Sequence, residues 1–424
     1  MDRFALRRVS LAELSTGPSR GRDREAEAKA AAIIDEVEAG GEAALRRWAE
    51  RLGELEPLGE LFLDRAALER ALGELGPGER GLLERGRDRI RAFAAAQRAC
   101  LSDLELPIQG GAAGHRFIPV ERAGCYVPGG LHPLASSALM TVLPARAAGV
   151  RSVWCAGPRP SAVTLAAAAL AGADGFLAAG GAQAVAALAF GCGPVEPRDL
   201  VVGPGGRYVA AAKRILFGTV GTEAPAGPSE LLVIAESGAE AGADPAVIAA
   251  DMLAQAEHDT AARAALVALD PKLVDAVEVE LAAALARLPE PSASVARASL
   301  ETGGWALVAS SREEACAAAD RFAPEHLEIL AAEPEFYERN VSNAGAVFLG
   351  SGSAEVLGDY GAGPNHCLPT GGASRFAAGL SVLTFLRPRT YLRLEDPRAI
   401  AADAAAFARL EGLEAHARSA ELRS

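Results

Sequence analysis

The regular alternation of strand-like, glycine-rich and helical segments in the middle of the chain constrains its fold more than any other feature. Short apolar segments typical of strands are separated by alanine-rich segments with helical spacing, and two strands run into glycine turns that open a helix. The predicted elements are strand Ser152–Ala156, helix Ser161–Ala171, strand Gly175–Ala179, helix Ala184–Phe190, strand Asp199–Val202 and helix Tyr208–Phe217. This alternation predicts a parallel α/β sheet, in which ligands bind outside the carboxyl ends of the strands.

A second alternation begins at Glu230 and predicts a second unit of the same kind. Its predicted elements are strands Glu230–Glu236, Ala264–Leu269, Trp305–Ala309 and Ala344–Leu349 and helix Arg312–Phe322. A charged helical pattern precedes both units from Arg24 to Gln97, and a helix is predicted at Pro397–Arg409. The predicted fold class is therefore α/β, with two Rossmann-like α/β units, N-terminal helices and a C-terminal helical arm.

The predicted domain boundaries follow these changes in pattern. Residues 1–20 form an N-terminal arm, and residues 115–229 form a Rossmann-like domain on the cofactor side. Residues 21–114 together with 230–372 form an α/β domain that carries most of the metal ligands described below. Residues 373–424 are short and alanine-rich, and we expect them to be an arm lying on a neighbouring subunit rather than a domain with its own core.

Composition excludes several classes of function. The net charge of −13, without a basic stripe, argues against a nucleic-acid partner. The least polar region, Ala162–Phe190, is interrupted by Asp174, Gln183 and glycines, so no membrane span is expected. The N-terminus shows no apolar signal-peptide region, and the six cysteines form no CxxC pair. We therefore expect a cytoplasmic protein with reduced, mostly buried thiols.

Histidines beside polar residues indicate where the chemistry lies. The segment Asp251–Asp259 has helical spacing, with Asp244-Pro245 as its cap and first turn, so Gln255 and His258 share a helix face. An amide oxygen and an imidazole nitrogen aimed at one point make half of a metal site. A polar helix face in water is the alternative interpretation, and for an isolated pair it is the commoner one.

Glu325 and His326 follow the predicted helix that ends at Phe322. The pair could act as a general base and its water-activating partner, or could be exposed in a loop. The segment Gly358–His366 is too rich in glycine and proline to be predicted as a helix. A rigid loop that brings Asp359 and His366 together could form a binding site, and an Asp-containing turn that happens to include a histidine is the alternative.

The C-terminal segment places Glu411 five residues before His416. On one continuous helix they would point in different directions, so they can serve one site only if a helix begins near Gly412. A histidine at a helix end that interacts with the helix dipole is the alternative. Gln255, His258, Asp359 and His416 together would offer two nitrogens and two oxygens, a set that suits zinc and can also take manganese or cobalt.

The glycine turns at Gly180-Gly181 and Gly203–Gly206 could let backbone N–H groups face a pyrophosphate. Neither is the G-x-G-x-x-G fingerprint of dinucleotide-binding folds, so ordinary strand-to-helix turns are the alternative. The HExxH motif of helical metalloproteases is also absent from the sequence.

Taken together, these segments resemble the histidinol dehydrogenase family from about His115 to Arg423. The resemblance is carried, in order, by Cys125-Tyr126-Val127-Pro128-Gly129-Gly130, Gly180-Gly181-Ala182-Gln183-Ala184, Val202-Gly203-Pro204-Gly205, Ala226-Gly227-Pro228-Ser229-Glu230, Leu253-Ala254-Gln255-Ala256-Glu257-His258, Ala323-Pro324-Glu325-His326-Leu327-Glu328, Gly358-Asp359-Tyr360 through Leu368-Pro369-Thr370-Gly371-Gly372, and Glu411-Gly412-Leu413-Glu414-Ala415-His416.

The resemblance implies a zinc- and NAD-dependent oxidation of L-histidinol to L-histidine, through L-histidinaldehyde, in an intertwined homodimer. It implies that Glu325 and His326 are catalytic and that the zinc ligands Gln255, His258, Asp359 and His416 also bind substrate, with His416 donated by the other subunit. The further substrate contacts that it implies are Ser229, His326, His366 and, again from the other subunit, Glu411; the implied NAD contacts are Tyr126, Gln183 and the position of Gly206.

Three departures from the family pattern lie on the cofactor side. Gly206 stands where the family usually has asparagine, Thr222-Glu223 where it has Ile-Asp, and Leu131-His132-Pro133 is an uncommon continuation of the first glycine turn. A dehydrogenase of another polar alcohol, of the sulfopropanediol type, is the alternative within the superfamily. A zinc hydrolase using Glu325 and His326 is a further alternative, although it has no need for the glycine turns.

Overall fold

A computed structural model of the chain describes residues 4–14, 23–56, 59–129, 134–223, 227–238 and 241–424. It is an α/β protein with two largely parallel sheets, as predicted. The first elements along the chain are β1 (Arg7–Arg8), α1 (Arg24–Arg51), β2 (Phe62–Asp64), α2 (Arg65–Glu74) and α3 (Pro77–Ala99). The segment Leu131-His132-Pro133 and Ala226 lie outside the described residues.

The cofactor-side sheet has the strand order β2-β7-β6-β5-β8-β9, with β2 antiparallel and the other strands parallel. Excluding β2, the order is the 3-2-1-4-5 pattern of doubly wound sheets. Its helices cover both faces, and its buried side chains are mostly alanine and aliphatic. From β3 onwards the elements are β3 (Leu104–Ile108), β4 (Gly111–Pro119), β5 (Arg122–Tyr126), α4 (Ala135–Ala148), β6 (Ser152–Ala156), α5 (Ala162–Ala171), β7 (Gly175–Leu177), α6 (Gly181–Phe190), β8 (Leu200–Val202), α7 (Arg207–Leu216) and β9 (Gly221–Thr222).

The metal-side sheet has the order β1-β12-β11-β10-β13-β14, and all of its strands are parallel. The predicted helix Arg312–Phe322 has the bounds that the structure shows, and the predicted strands agree within two residues at either end. Its elements are β10 (Glu230–Ala235), α8 (Pro245–Ala256), β11 (Arg263–Ala268), α9 (Pro271–Leu285), α10 (Ser292–Gly303), β12 (Trp305–Val308), α11 (Arg312–Phe322), β13 (His326–Leu330), α12 (Pro334–Asn340), β14 (Ala346–Leu349) and α13 (Glu355–Asp359).

The N-terminal helices pack differently from the predicted grouping of residues 21–114 with residues 230–372. β2 pairs with β7, and α1 packs on α6 and α7, so these elements extend the cofactor-side sheet. The apolar face of α1 explains this packing, because Ile34, Val37 and Leu45 are buried against that sheet. Of the described strands that precede residue 115, only β1, in the N-terminal arm, joins the metal-side sheet.

The C-terminal segment contains a long strand that its helical pattern did not predict. β15 (Leu386–Leu394) pairs antiparallel with β4, which pairs with β3, so the C-terminal segment forms a separate three-stranded sheet with these two strands. The helices α14 (Arg398–Leu410) and α15 (Glu414–Glu421) then pack on each other. Among the described residues, no helix is long and apolar enough to cross a membrane.

Candidate active site

The candidate catalytic residues lie at the amino ends of two neighbouring strands. Ser229 immediately precedes β10, Glu325 immediately precedes β13, and His326 is the first residue of β13, opposite Leu231 of β10. Ligand binding at the carboxyl ends was predicted for the first α/β unit, whereas the candidate residues of this sheet lie at the amino ends. The physical reason is the direction of α8, which leaves the carboxyl end of β10 and brings Gln255 back to the amino end.

His326 is held as a neutral imidazole with one free nitrogen. Its Nδ1 lies 3.1 Å from the carbonyl oxygen of Glu230, which requires Nδ1 to carry the hydrogen and donate it. Its Nε2 has no hydrogen-bond partner among the described residues. Burial lowers the pKa of His326 to about 3, so the ring is uncharged near neutral pH and Nε2 can accept a proton.

Glu325 is fixed beside this imidazole. Its Oε2 accepts a hydrogen bond from the hydroxyl of Ser229 at 2.6 Å and from the backbone N–H of Glu230 at 2.9 Å. The same oxygen lies 3.8 Å from Nδ1 of His326. Burial raises the pKa of Glu325 well above its usual range, against the two hydrogen bonds, which lower it. A carboxyl with a raised pKa is a stronger base once it is deprotonated.

A group of donors suited to a metal ion lies in front of this pair. One ligand atom each from His258, Glu355 and Asp359 can be chosen so that all lie within 4.8 Å of one another. His258 is exposed, whereas Glu355 is buried and burial raises the pKa of Asp359 to about 7. One imidazole nitrogen and carboxylate oxygens at this spacing fit zinc.

Glu355 was not predicted from the sequence. It is the first residue of α13 and Asp359 is the last, so the two carboxylates are four residues apart on one helix face. The prediction that Gly358–His366 is not helical was wrong for its first two residues, because α13 includes Gly358 and Asp359. A carboxylate one helical turn before Asp359 was the signal that could have identified Glu355.

Gln255 joins the metal donors to the catalytic pair. Its helix ends at Ala256, so the predicted helix through Asp259 is too long and His258 lies just beyond its end. We orient the Gln255 side-chain amide so that its nitrogen and its oxygen both form hydrogen bonds. The nitrogen then donates to the two carboxylate oxygens of Glu355 at 2.9 and 3.3 Å. The Gln255 oxygen then lies 3.1 Å from Ser229 Oγ, so Glu355 fixes which end of the amide faces the site.

His366 connects the metal side to the cofactor side. Its Nδ1 lies 3.1 Å from the backbone oxygen of Asp359, and its Nε2 lies 3.4 Å from the hydroxyl of Ser137. Ser137 is in the first turn of α4, which follows the carboxyl end of β5. The amino edge of the metal-side sheet therefore approaches the carboxyl edge of the cofactor-side sheet.

Tyr126 and Gln183 lie together at the carboxyl edge of the cofactor-side sheet, where ligands were predicted to bind. The Tyr126 hydroxyl accepts the backbone N–H of Gly181 at 3.0 Å. The Gln183 amide donates to Glu54 at 3.0 Å, and the backbone N–H of Gly180 donates to the same carboxylate oxygen at 2.9 Å. Glu54 comes from the N-terminal helical region, where no concentrated chemistry was predicted.

Hydrogen bonds to Glu223 stabilise the second glycine turn. Glu223 is one of the departures from the family pattern noted above. Glu223 Oε1 accepts the backbone N–H of Gly203 at 2.7 Å and Nζ of the buried Lys213 at 2.6 Å, and Lys213 also donates to the Gly203 carbonyl. Gly206 caps α7 at the exposed end of this turn, with open space where a side chain would lie. Open space beside a helix N-terminus fits a cofactor phosphate.

Comparisons with known proteins identify the family of this chain. A family model described as histidinol dehydrogenase matches residues 18–424. The chain belongs to the histidinol dehydrogenase family. It is 45% identical over 395 residues to the histidinol dehydrogenase of Thermus thermophilus, covering 92% of this chain and 93% of that protein. It is 43% identical to that of Cereibacter sphaeroides, covering 96% and 94%.

A solved structure and one differently named relative complete the comparison. The crystal structure of histidinol dehydrogenase from Elizabethkingia anophelis matches with a TM-score of 0.90 at 27% identity, covering 100% of this chain and 99% of that one. A protein named histidinol dehydrogenase homolog from Ruegeria pomeroyi is 41% identical, covering 92% of this chain and 91% of that protein.

Two of the residues singled out by the histidinol dehydrogenase resemblance lie outside the cluster in this chain. Glu411 caps the end of α14, Gly412 adopts a φ of 78°, and α15 begins at Glu414, so the condition of a helix that begins near Gly412 is met. Both Glu411 and His416 are exposed on these helices. The structure thus brings together Ser229, Gln255, His258, Glu325, His326, Asp359 and His366 but not the two arm residues.

Proposed function

We propose that this chain oxidises L-histidinol to L-histidine through L-histidinaldehyde, a four-electron oxidation that uses two NAD. The observation that carries the proposal is the neutral His326, with Nε2 unpaired among the described residues, beside Glu325 and the donors His258 and Asp359. When bound, zinc supplies an anchor for the amine and imidazole of the substrate, and NAD accepts the hydride in each step.

His326 serves the first oxidation as a general base. Its Nε2 takes the proton of the substrate hydroxyl as the carbinol carbon loses hydride, leaving the aldehyde. The Nδ1–H bond to the Glu230 carbonyl holds the ring in this tautomer and in this orientation. Since Nε2 lies 3.9 Å from a carboxylate oxygen of Asp359, the base is next to the site at which the substrate would be anchored.

Glu325 serves the second oxidation, in which water adds to the aldehyde. Its carboxylate accepts a proton from the water, with His326 as its partner, and the hydrate then loses hydride to become the carboxylate product. Ser229 keeps Glu325 in place through the 2.6 Å hydrogen bond and is also close enough to Gln255 to contact a substrate held there.

The residues that would hold zinc are Gln255, His258 and Asp359 of one subunit and His416 of the other. The helices α14 and α15 of the arm support this exchange, because the residues buried within them are all alanines: Ala401, Ala405, Ala408 and Ala417. Phe407, Leu410 and Leu422 are 68%, 84% and 86% exposed. Exposed apolar side chains of this size are typical of a surface covered by another chain. We therefore infer a homodimer with shared active sites.

The decisive assay measures NADH formed by the purified protein with zinc, NAD and L-histidinol. We expect about two NADH for each histidinol consumed, because converting an alcohol to an acid removes four electrons. NADH formation only with another polar alcohol, such as a sulfopropanediol, would assign a different substrate to the same site. Ester or amide cleavage without NADH formation would overturn the proposal in favour of a hydrolase.

A further inference from the structure

Two interior carboxyl groups, those of Asp251 and Glu328, lie next to the candidate active site. Glu328 follows His326 by two residues on β13, so the two side chains point to the same face of that strand. Asp251 lies about one helical turn before Gln255 on α8, so these two side chains share a helix face. Leu330, the next residue on that face of β13, packs in the same apolar cluster as α8. Asp251 and Glu328 therefore lie where the helix contacts the strand.

Three oxygen atoms of this pair are buried without a donor. Among the described residues, none donates a hydrogen bond to either carboxylate oxygen of Glu328 or to Oδ2 of Asp251 when both groups are ionised. The two side chains are close enough to bond to each other, which requires one of them to carry a proton. Because two buried like charges without partners are costly, a shared proton accounts for all three oxygens.

Glu328 is the member of the pair that holds the proton. Burial and the negative charge of Asp251 raise the pKa of Glu328. Burial also raises the pKa of Asp251, but the hydrogen bond with Glu328 lowers it. The protonated Glu328 therefore donates to the carboxylate of Asp251, and this hydrogen bond joins β13 to α8.

We propose that the Asp251–Glu328 pair positions the metal donors of α8 against the catalytic residues of β13. Gln255 lies about one turn after Asp251, and His258 follows the end of the same helix, whereas His326 is the first residue of β13. A buried hydrogen bond between the two elements fixes the distance and rotation of the helix relative to the strand. The inference rests on the proposed zinc-dependent function and makes Asp251 and Glu328 positioning residues for it.

Four variants distinguish positioning from a contribution to stability alone. Glu328→Gln keeps a donor for Asp251, because an amide N–H replaces the carboxyl O–H. Glu328→Met removes that donor and leaves the Asp251 carboxylate without one. The double variant Asp251→Leu/Glu328→Met replaces both partners by apolar groups, which can restore stability. Ile329→Met is the matched control, because Ile329 packs in the apolar cluster on the opposite face of β13.

Zinc affinity is measured by competition with a chelator, and stability by the melting temperature, so neither measurement needs substrate. We expect Glu328→Gln and Ile329→Met to keep a zinc affinity near the wild-type value. Glu328→Met and the double variant should bind zinc about tenfold or more weakly, and the KM for L-histidinol should rise in both. The melting temperature of the double variant should nevertheless be closer to wild type than that of Glu328→Met.

Infrared spectroscopy of the zinc-bound protein at about pH 7 detects the proton itself, because a protonated carboxyl has a C=O stretch that an ionised one lacks. The difference spectrum between wild type and Glu328→Gln should contain this band. The difference spectrum between wild type and Ile329→Met should not contain it.

A zinc affinity that recovers together with the melting temperature in the double variant would overturn the inference, because the pair would then contribute only to stability. The absence of the carboxyl band would also overturn it, as would a second metal ion per chain that Glu328→Gln removes, since a cation would then take the place of the proton. A wild-type protein that gives all the expected zinc and infrared results but forms no NADH from L-histidinol would refute the proposed reaction and leave the positioning of the metal donors supported.

Discussion

Apart from the edge strands β2 and β1, the two sheets share the strand order 3-2-1-4-5, but they place their candidate functional residues at opposite ends. On the cofactor-side sheet, Tyr126, Gly180 and Gly203 follow the carboxyl ends of β5, β7 and β8. On the metal-side sheet, Ser229 and His326 lie at the amino ends of β10 and β13. The same strand topology therefore does not determine which edge of a sheet carries the site.

The difference follows from what a hydride transfer requires. A cofactor and a substrate can react only if their two sites face each other, and His366 links Asp359 of the metal side to Ser137 of the cofactor side. The two edges also differ in electrostatics. On the cofactor side Glu223 is paired with Lys213, whereas the carboxyl of Glu355 is surrounded by other acidic groups, which, after burial itself, raise its pKa.

The largest effect is expected from His326→Gln, which removes the base at the amino end of β13. We expect kcat to fall by about 10²–10⁴-fold, because glutamine cannot accept the hydroxyl proton. Bound zinc, measured by metal analysis, and NAD affinity, measured by calorimetry, should stay near their wild-type values. His115→Gln, on β4 where the ring contacts Phe117, is the matched control and should keep full activity.

A His326→Gln variant that lost both NAD affinity and turnover would contradict the assignment of separate functions to the two sheet edges. That result would mean that the two edges are one binding surface rather than a catalytic edge and a cofactor edge.

Glu355→Gln should weaken zinc binding by about 10–100-fold, which is typical when a residue supporting a metal ligand is replaced. Glu355 lies among the metal donors and fixes the Gln255 amide, and both roles depend on its carboxylate. Zinc affinity is measured by competition with a chelator. The exposed Glu335→Gln on α12 is the control, and equal zinc affinity in all three proteins would show that Glu355 has no part in the metal site.

Glu355 also shows which part of the site could be predicted from the sequence. Gln255, His258, Glu325, His326, Asp359 and His366 were identified because each is a distinctive residue in a distinctive local pattern, and the structure does bring them together. Glu355 stands in an ordinary segment, and only packing reveals its place beside Gln255.

The fold, like the site, could be predicted from the sequence only in part. Hydrophobic periodicity is local, so the predicted strands of both units and most of their predicted helices lie close to the observed bounds, whereas α4, α9, α10 and α12 were not predicted. The packing of α1 against α6, the long strand β15 and the edge of the metal-side sheet that carries the site were missed. Each of these depends on contacts between residues far apart in the chain, which no local pattern encodes.

The proposed exchange of the C-terminal arm would assign one metal ligand to the partner subunit, and mixing two inactive variants tests it. In a hybrid of a His326→Gln chain and a His416→Asn chain, one site would have an intact core from one chain and an intact His416 from the other. We expect random subunit exchange to restore about a quarter of wild-type activity. The absence of any recovery, with hybrids verified by mass spectrometry, would show that each arm serves its own subunit.

The smallest effect should come from Gly206→Asn, which restores the residue usual in the family to the cofactor edge. Gly206 has a φ of −64° and open space around its missing side chain, so asparagine fits without strain. One additional hydrogen bond, worth about 0.5–1.5 kcal/mol, should tighten NAD binding by a few fold and leave zinc affinity unchanged. Asparagine is also favoured at the N-cap of α7 and should raise the melting temperature slightly, so dissociation constants are the relevant measurement.

Gly78→Asn, at an equally open position in α3, is the control. If Gly206→Asn changed zinc affinity but not NAD affinity, the second glycine turn would belong to the metal side, and the assignment of the two edges would be reversed at this point.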